Sequence, residues 1–146
     1  MNTKLTDEKG AGELKNDFPE MFEDVRCGVS YGRGWHDLIY RLCEFIYYYK
    51  QYGIIVRVAQ VKEKFGTLRF YFDTELKKHK IYKKQDQIGM MSRINGAVAF
   101  AQYLSGTICE DCGKDGRLRE GTWIRTLCEK CHEKKSGQEE MHSQWS

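Results

Sequence analysis

Apolar residues recur along this chain with two different periods. In WHDLIYRLCEFIYYYKQYG, residues 35–53, Trp35, Leu38, Ile39, Leu42, Phe45, Ile46 and Tyr49 fall at i, i+3, i+4 and i+7. That spacing places them on one face of an amphipathic helix, and Gly53 stands where such a helix stops. A second stripe, His36, Tyr40, Cys43 and Tyr47, runs beside the first and widens the face that meets a sheet. The period then shortens. IIVRVAQV is rich in β-branched residues, and TLRFYFD alternates large and polar side chains. With KEKFG between them they predict a β-hairpin, with Leu68, Phe70 and Phe72 inward and Arg69, Tyr71 and Asp73 outward. Residues 74–87 are polar and predict partial helix. In IGMMSRINGAVAFAQYL, Ile94, Val98 and Ala101 mark a second long helix, ended by Ser105 and Gly106. Ahead of all these, Asn16 and Asp17 before FPEMFEDV predict a short capped helix, and GVSYGRG predicts a loop.

Helices and strands are thus segregated, which predicts an α+β fold: long helices on a β-hairpin or small antiparallel sheet, closed by a C-terminal zinc ribbon. The expected boundaries are a loose arm over 1–16, the α+β core over 17–107, the metal module over 108–135 and a polar tail over 136–146. A chain of 146 residues that is 40% hydrophobic has enough apolar material for one core. No stretch approaches the ~18 apolar residues of a membrane span, and the first residues lack the apolar segment of a secretory signal. The expected compartment is therefore a reducing cytoplasm, where paired thiols serve metals more often than bridges.

The metal module is ICEDCGKDGRLREGTWIRTLCEKCHEKK, residues 108–135. Cys109 and Cys112 form one Cys-x-x-Cys pair and Cys128 and Cys131 another, with fifteen residues between the pairs. Each pair presents two thiolates about one tetrahedral edge apart, and two pairs close around one ion. Two disulfides would need an oxidising compartment, and two redox pairs would each want a strand–helix context. His132 is an alternative fourth ligand, though four sulfurs make the simpler set. Zn2+ held this way is structural, because four protein ligands leave no position for water. Cys43 reads as an inert buried thiol, and Cys27 has no activating neighbour in sequence.

Charge adds a weaker signal. Arg117, Arg119 and Arg125 decorate the module around Trp123, and Lys62, Lys64 and Arg69 sit on the hairpin. Basic side chains interleaved with aromatics suit phosphate contact and base stacking. Six acids in the same module hold its net charge to +1, which is less lopsided than a nucleic-acid footprint. The Lys77–Lys84 run reads as a solvated surface. Glu63, with Asp73 and Glu75 from the facing strand, offers the one candidate for a metal-dependent nuclease, against the plainer reading of Lys62, Glu63 and Lys64 as a soluble turn.

VKEKFGTLRFYF, then CEDCGKDGRLREGTWIRTLCEKC, with GRGWHDLIYRLC upstream, resembles a group of small bacteriophage and prophage proteins over roughly residues 30–132. Thr122 between Gly121 and Trp123 departs from the Gly-Trp step of that pattern. The resemblance implies phage origin and action in a bacterial cytoplasm, and it carries over no catalytic residue. The resulting expectation is a protein without chemistry of its own that binds a host macromolecule, in the leading reading a host protein, as a counter-defence inhibitor. Tyr48, Tyr52, Tyr71 and Trp123 would anchor that contact, and a homo-oligomer is compatible with it. The alternatives are a nucleic-acid-binding zinc protein and, third, the nuclease.

Overall fold

The computed structural model describes the backbone of residues 8–144 and the side chains of 9–137. The elements run α1 (Glu8–Asp17), β1 (Val29–Ser30), α2 (His36–Tyr47), β2 (Ile54–Lys64), β3 (Thr67–Leu76), α3 (Lys84–Ser105), β4 (Arg117–Arg119), β5 (Arg125–Leu127) and α4 (Glu129–Gln144). Both long helices and the hairpin lie where the periodicity puts them. Short 3-10 turns extend α2 at both ends, and Gly53 closes it in the left-handed region with φ 82°.

The sheet has the order β1-β2-β3 and is mixed. β2 and β3 are antiparallel, while β1 pairs parallel to β2 through Val29↔Val61 and Ser30↔Lys62. The expectation of a loop at GVSYGRG and of an antiparallel sheet is corrected here. Two residues carry no visible period, and the crossover that makes the pairing parallel is α2 itself. β2 also holds a bulge between Val58 and Gln60. Alternation alone cannot bury both Val58 and Val61, which are three apart, yet both are inside. The extra residue, Ala59, switches the inward set from Ile54, Val56 and Val58 to Val61 and Glu63. Its carbonyl accepts the Cys27 N–H at 3.2 Å.

The core lies between this sheet, α2 and α3, and it centres on Trp35, Ile39, Ile46, Val58, Val61, Leu68 and Ile94, all fully buried. Phe72 is only partly buried, and Phe45, counted on the core face of α2, is 44% exposed. Side chains of α3 cap the strand beside it: Ser105 Oγ accepts the Leu68 N–H at 2.8 Å, and Gln102 Oε1 accepts the Phe70 N–H at 3.0 Å. At the other end of the same helix, buried Gln87 donates to the carbonyls of Tyr52 and Lys77, both at 2.8 Å.

Two expectations at the N-terminal end are overturned. Residues 8–16 are helical, and Leu14 is fully buried against the core, because one well-placed apolar side chain docks an otherwise polar helix. FPEMFEDV, by contrast, is a run of turns, with Phe18, Met21 and Phe22 plugged into the core and the Met21 carbonyl accepting the Val58 N–H at 2.7 Å. Residues 74–87 divide between the end of β3, a loop and the start of α3. Residues 136–144 continue α4, so that part of the polar tail is helical. Residues 1–7 of the arm and 145–146 of the tail lie outside the described residues. Among the described residues no helix is long and apolar enough to cross a membrane.

The β2–β3 hairpin turns through Phe65 and Gly66, both with positive φ, at 52° and 83°. Turns of this kind match the twist of the strands and favour Asn-Gly, so a phenylalanine in the first position is strained. Phe65→Asn is therefore expected to raise stability by about 0.5–1.5 kcal/mol. Urea denaturation checks this, and an unchanged or lower midpoint would refute the assignment of strain.

Candidate metal centre

The four cysteines come from two kinds of local structure. Cys109 follows the end of α3 and opens a tight knuckle, in which the Cys109 carbonyl accepts the Gly113 N–H at 2.9 Å and Gly113 takes φ 81°. Cys109 N–H in turn donates to the Lys114 carbonyl at 2.8 Å. After the knuckle the chain folds back as the β4–β5 hairpin, with Arg117↔Leu127, Leu118↔Thr126 and Arg119↔Arg125 opposed. Cys128 ends that hairpin, and Cys131 sits in the first turn of α4. The second Cys-x-x-Cys is thus the head of a helix and not a second loop turn. The expected ribbon is replaced by a knuckle, hairpin and helix. The physical reason is local: the first helical turn has free N–H groups, and Cys131 N–H points to Cys128 Sγ at 3.4 Å.

The four Sγ atoms lie within 4.8 Å of one another, and Cys112 and Cys128 Sγ are 3.6 Å apart. A tetrahedral ion with bonds of about 2.3 Å to sulfur needs edges near 3.8 Å, so the set fits a single ion such as zinc. Cys109 and Cys128 are buried, while Cys112 is exposed at the rim. The N–H of Cys131 is the largest influence on Cys128 and holds its thiol down to about 7, poised toward the thiolate a metal requires. Burial pushes Cys112 and Cys131 the other way. No water position remains once four thiolates bind, so an ion here organises structure. His132, beside Cys131, is not part of the gathered set. Cys43 lies in the main core, where burial raises its thiol and keeps it inert, and Cys27 is exposed.

What seats this centre on the rest of the protein is the GRGW stretch ahead of α2. The Gly34 N–H donates to the Glu110 carbonyl at 2.7 Å, and the buried Trp35 Nε1–H donates to the Ile108 carbonyl at 2.8 Å. A Cβ on Gly32 would run into the Glu110 carbonyl. One on Gly34 would run into the Cys109 carbonyl and sit 2.6 Å from the Gly113 nitrogen. Two stretches of backbone meet there without room for a side chain between them. The hairpin tip makes the second seat. Thr126 Oγ1, fully buried, donates to the Gly66 carbonyl at 2.6 Å, and a Cβ on Gly66 would lie 2.5 Å from Leu118 Cδ1.

Glu110 ties both seats together and has no signature in the sequence, being one acid among six in the module. It is 2% exposed, accepts the Thr126 N–H at 2.7 Å and lies 3.7 Å from the Arg125 guanidinium. Burial outweighs these partners and lifts its carboxyl to about 7.

The remaining candidates separate. Arg125 is held by Asp111 at 2.9 Å, and Arg119 by Glu129 at 3.2 Å and the Leu127 carbonyl. Both are largely buried, while Arg117 is exposed at 4.0 Å from Glu129. Trp123 is 68% exposed in the β4–β5 loop. On the outer face of the sheet Lys62 and Arg69 stand directly opposite each other. Lys64 reaches over the Phe65 ring at 5.8 Å. Glu63 points the other way, and its carboxylate accepts the Gly66 N–H at 2.9 Å. Asp73 pairs in register with Arg57 at the far end of the hairpin, and Glu75 binds that arginine at 3.0 Å. The acids wanted for a nuclease therefore do not gather, and among the described residues the cysteines are the one cluster placed to hold a metal.

Two outcomes are expected. Purified protein carries one zinc per chain by elemental analysis, and a strong chelator removes amide-exchange protection from β4, β5 and the start of α4; full protection without metal would refute a structural role. Gly34→Ala costs about 2–4 kcal/mol in thermal or urea denaturation, whereas Gly12→Ala, in open space on α1, gains up to about 1 kcal/mol. Equal effects at the two glycines would discount the close seat. No family model, curated protein or solved structure matches the chain, so the reading of this centre rests on its own geometry.

Proposed function

We propose that the chain is a non-enzymatic docking protein whose zinc-organised lobe presents the β2–β3 tip to a host protein. The observation that carries this reading is Phe65. It is 65% exposed, adds nothing to the core and holds an unfavourable backbone conformation where Asn or Gly would fit freely. Beside it Leu118 is 47% exposed, and Trp123 stands out from the neighbouring loop. Large exposed apolar side chains on a rigid support are the usual anchors of protein recognition. Arg119 and Arg125 are held in ion pairs, and six acids keep the net charge of the module to +1, which favours a protein over a nucleic acid. Tyr71, at 44% exposure, and Tyr48, at 55%, are further contact points, while Tyr52 is half-buried against Tyr48 and Tyr82. From the phage resemblance, the partner is a bacterial macromolecule met in the host cytoplasm, and blocking it as counter-defence is the purpose.

A second reading, single-stranded nucleic acid, draws on one observation. Lys62 and Arg69 oppose each other without a facing acid, a repulsive arrangement that an incoming phosphate relieves, with Tyr71 on the same face for stacking.

Phe65→Asn and Trp123→Ala variants distinguish these readings, because neither residue supports the core. Affinity capture from bacterial lysate with the wild type is expected to enrich a protein that both variants lose, by tenfold or more. Capture that is indifferent to both substitutions would sink the proposal. Salt-dependent gel shifts abolished by Lys62→Ala with Arg69→Ala would replace it with the nucleic-acid reading.

A further inference from the structure

A different surface carries an inference independent of that docking tip. α3 turns Ile94, Val98 and Ala101 to the core. Its opposite side carries Ile88, Gly89, Ser92, Gly96, Phe100 and Tyr103, all exposed. Three of these are large and apolar: Ile88 at 51%, Phe100 at 59% and Tyr103 at 71% exposure. The two aromatic rings lie nearly parallel, 17° apart with centroids at 6.4 Å, so they form one raised block near the helix C-terminus. Toward the N-terminal half the same side is low. Gly89 and Gly96 have no atom within 4 Å of an added Cβ, so nothing in the chain uses their missing side chains. Glycine inside a helix is a poorer choice than alanine, and no intramolecular packing or turn explains either one.

The block and the hollow are related by symmetry. Gly89, Gly96 and Tyr103 are spaced by seven, two helical turns, and so share one stripe. A two-fold axis passing beside Gly96 sets two copies of α3 antiparallel. It lays Tyr103 over Gly89 of the partner subunit, a large residue over a small one, with Phe100 on the flank of the same contact. Gly96 meets Gly96 of the partner subunit at the crossing, where absence of a side chain allows close approach. Between residues 88 and 105 the only charged side chain is Arg93, so the pairing buries no acid and the helix dipoles run opposed. We propose that this side of α3 is the interface of a homodimer, with a second copy of the chain as its occupant.

The area sets the strength expected. A helix of 22 residues is about 33 Å long; full burial of an aromatic covers on the order of 150–250 Å², of which Phe100 and Tyr103 still have 59% and 71% to bury. Four aromatics and their surroundings reach the lower end of specific interfaces, around 1,200 Å² in total. An interface at this lower end predicts a dimer that forms with rising concentration and dissociates on dilution.

Sedimentation equilibrium of the full zinc-loaded chain, from about 1 to about 300 µM, tests this. The mass is expected to rise from 17.2 kDa toward twice that value. Gly89→Leu fills the hollow and Gly96→Leu obstructs the crossing. Each is expected to weaken association at least tenfold while leaving the helical signal and melting temperature of the monomer equal or higher, since leucine is the better helix former. Tyr103→Ser, which removes the block without touching the glycines, is expected to weaken it similarly. A mass of 17.2 kDa at every concentration overturns the proposal. So does a dimer that persists in all three variants, because its interface then lies elsewhere.

Discussion

Contact between two pieces of bare backbone governs this structure. The knuckle that carries Cys109 and Cys112 lies against the loop through Gly32 and Gly34 so closely that no Cβ fits between them. From this seat follow the burial of Trp35, its indole bond to Ile108 and the start of α2 beneath the metal centre. A cysteine module attached by side chains alone would tolerate substitution and drift. One attached by main chain has a fixed distance and orientation, and it ties the four-cysteine cluster directly into the body of the protein.

The polar interior serves the same end. Thr126, Ser105, Gln87 and Glu110 are buried, and each uses its side chain to satisfy a main-chain group that the sheets and helices leave unpaired. Unmet backbone groups are costly inside a protein, so these four residues mark where one element ends against another. Glu110 is the extreme case, since a carboxylate so enclosed is held only by a backbone N–H and a guanidinium that is itself shared with Asp111.

Much of this was legible in the order of residues, and the failures have physical causes. The helical stripe from Trp35 to Tyr49, the alternation from Leu68 to Phe72 and the cysteine spacing each repeat a signal several times, and those elements lie where they were expected. What could not be read rests on single residues. Leu14 is the one large apolar side chain that α1 buries. Ala59 alone shifts the inward set of β2, so Val61 is buried against the alternation. Two residues make β1. The second cysteine pair looks identical to the first in sequence, yet one belongs to a loop and the other to a helix, because the residues after Cys131 continue a helix and those after Cys112 do not. The glycines of GRGW read as a turn that opens a helix. Their need to meet a second backbone depends on a segment about seventy-five residues away, which no local pattern announces.

That separation orders events in time. The four gathered cysteines lie at most 22 apart in the chain, but the seats join Gly34 to Glu110, Trp35 to Ile108 and Gly66 to Thr126, across 60 to 76 positions. During synthesis the α2 entrance and the hairpin tip leave the ribosome long before anything can cover them. The lobe that completes them emerges later. Until that lobe docks, the Trp35 indole and the Gly32–Gly34 backbone lack the groups that cover them in the completed fold.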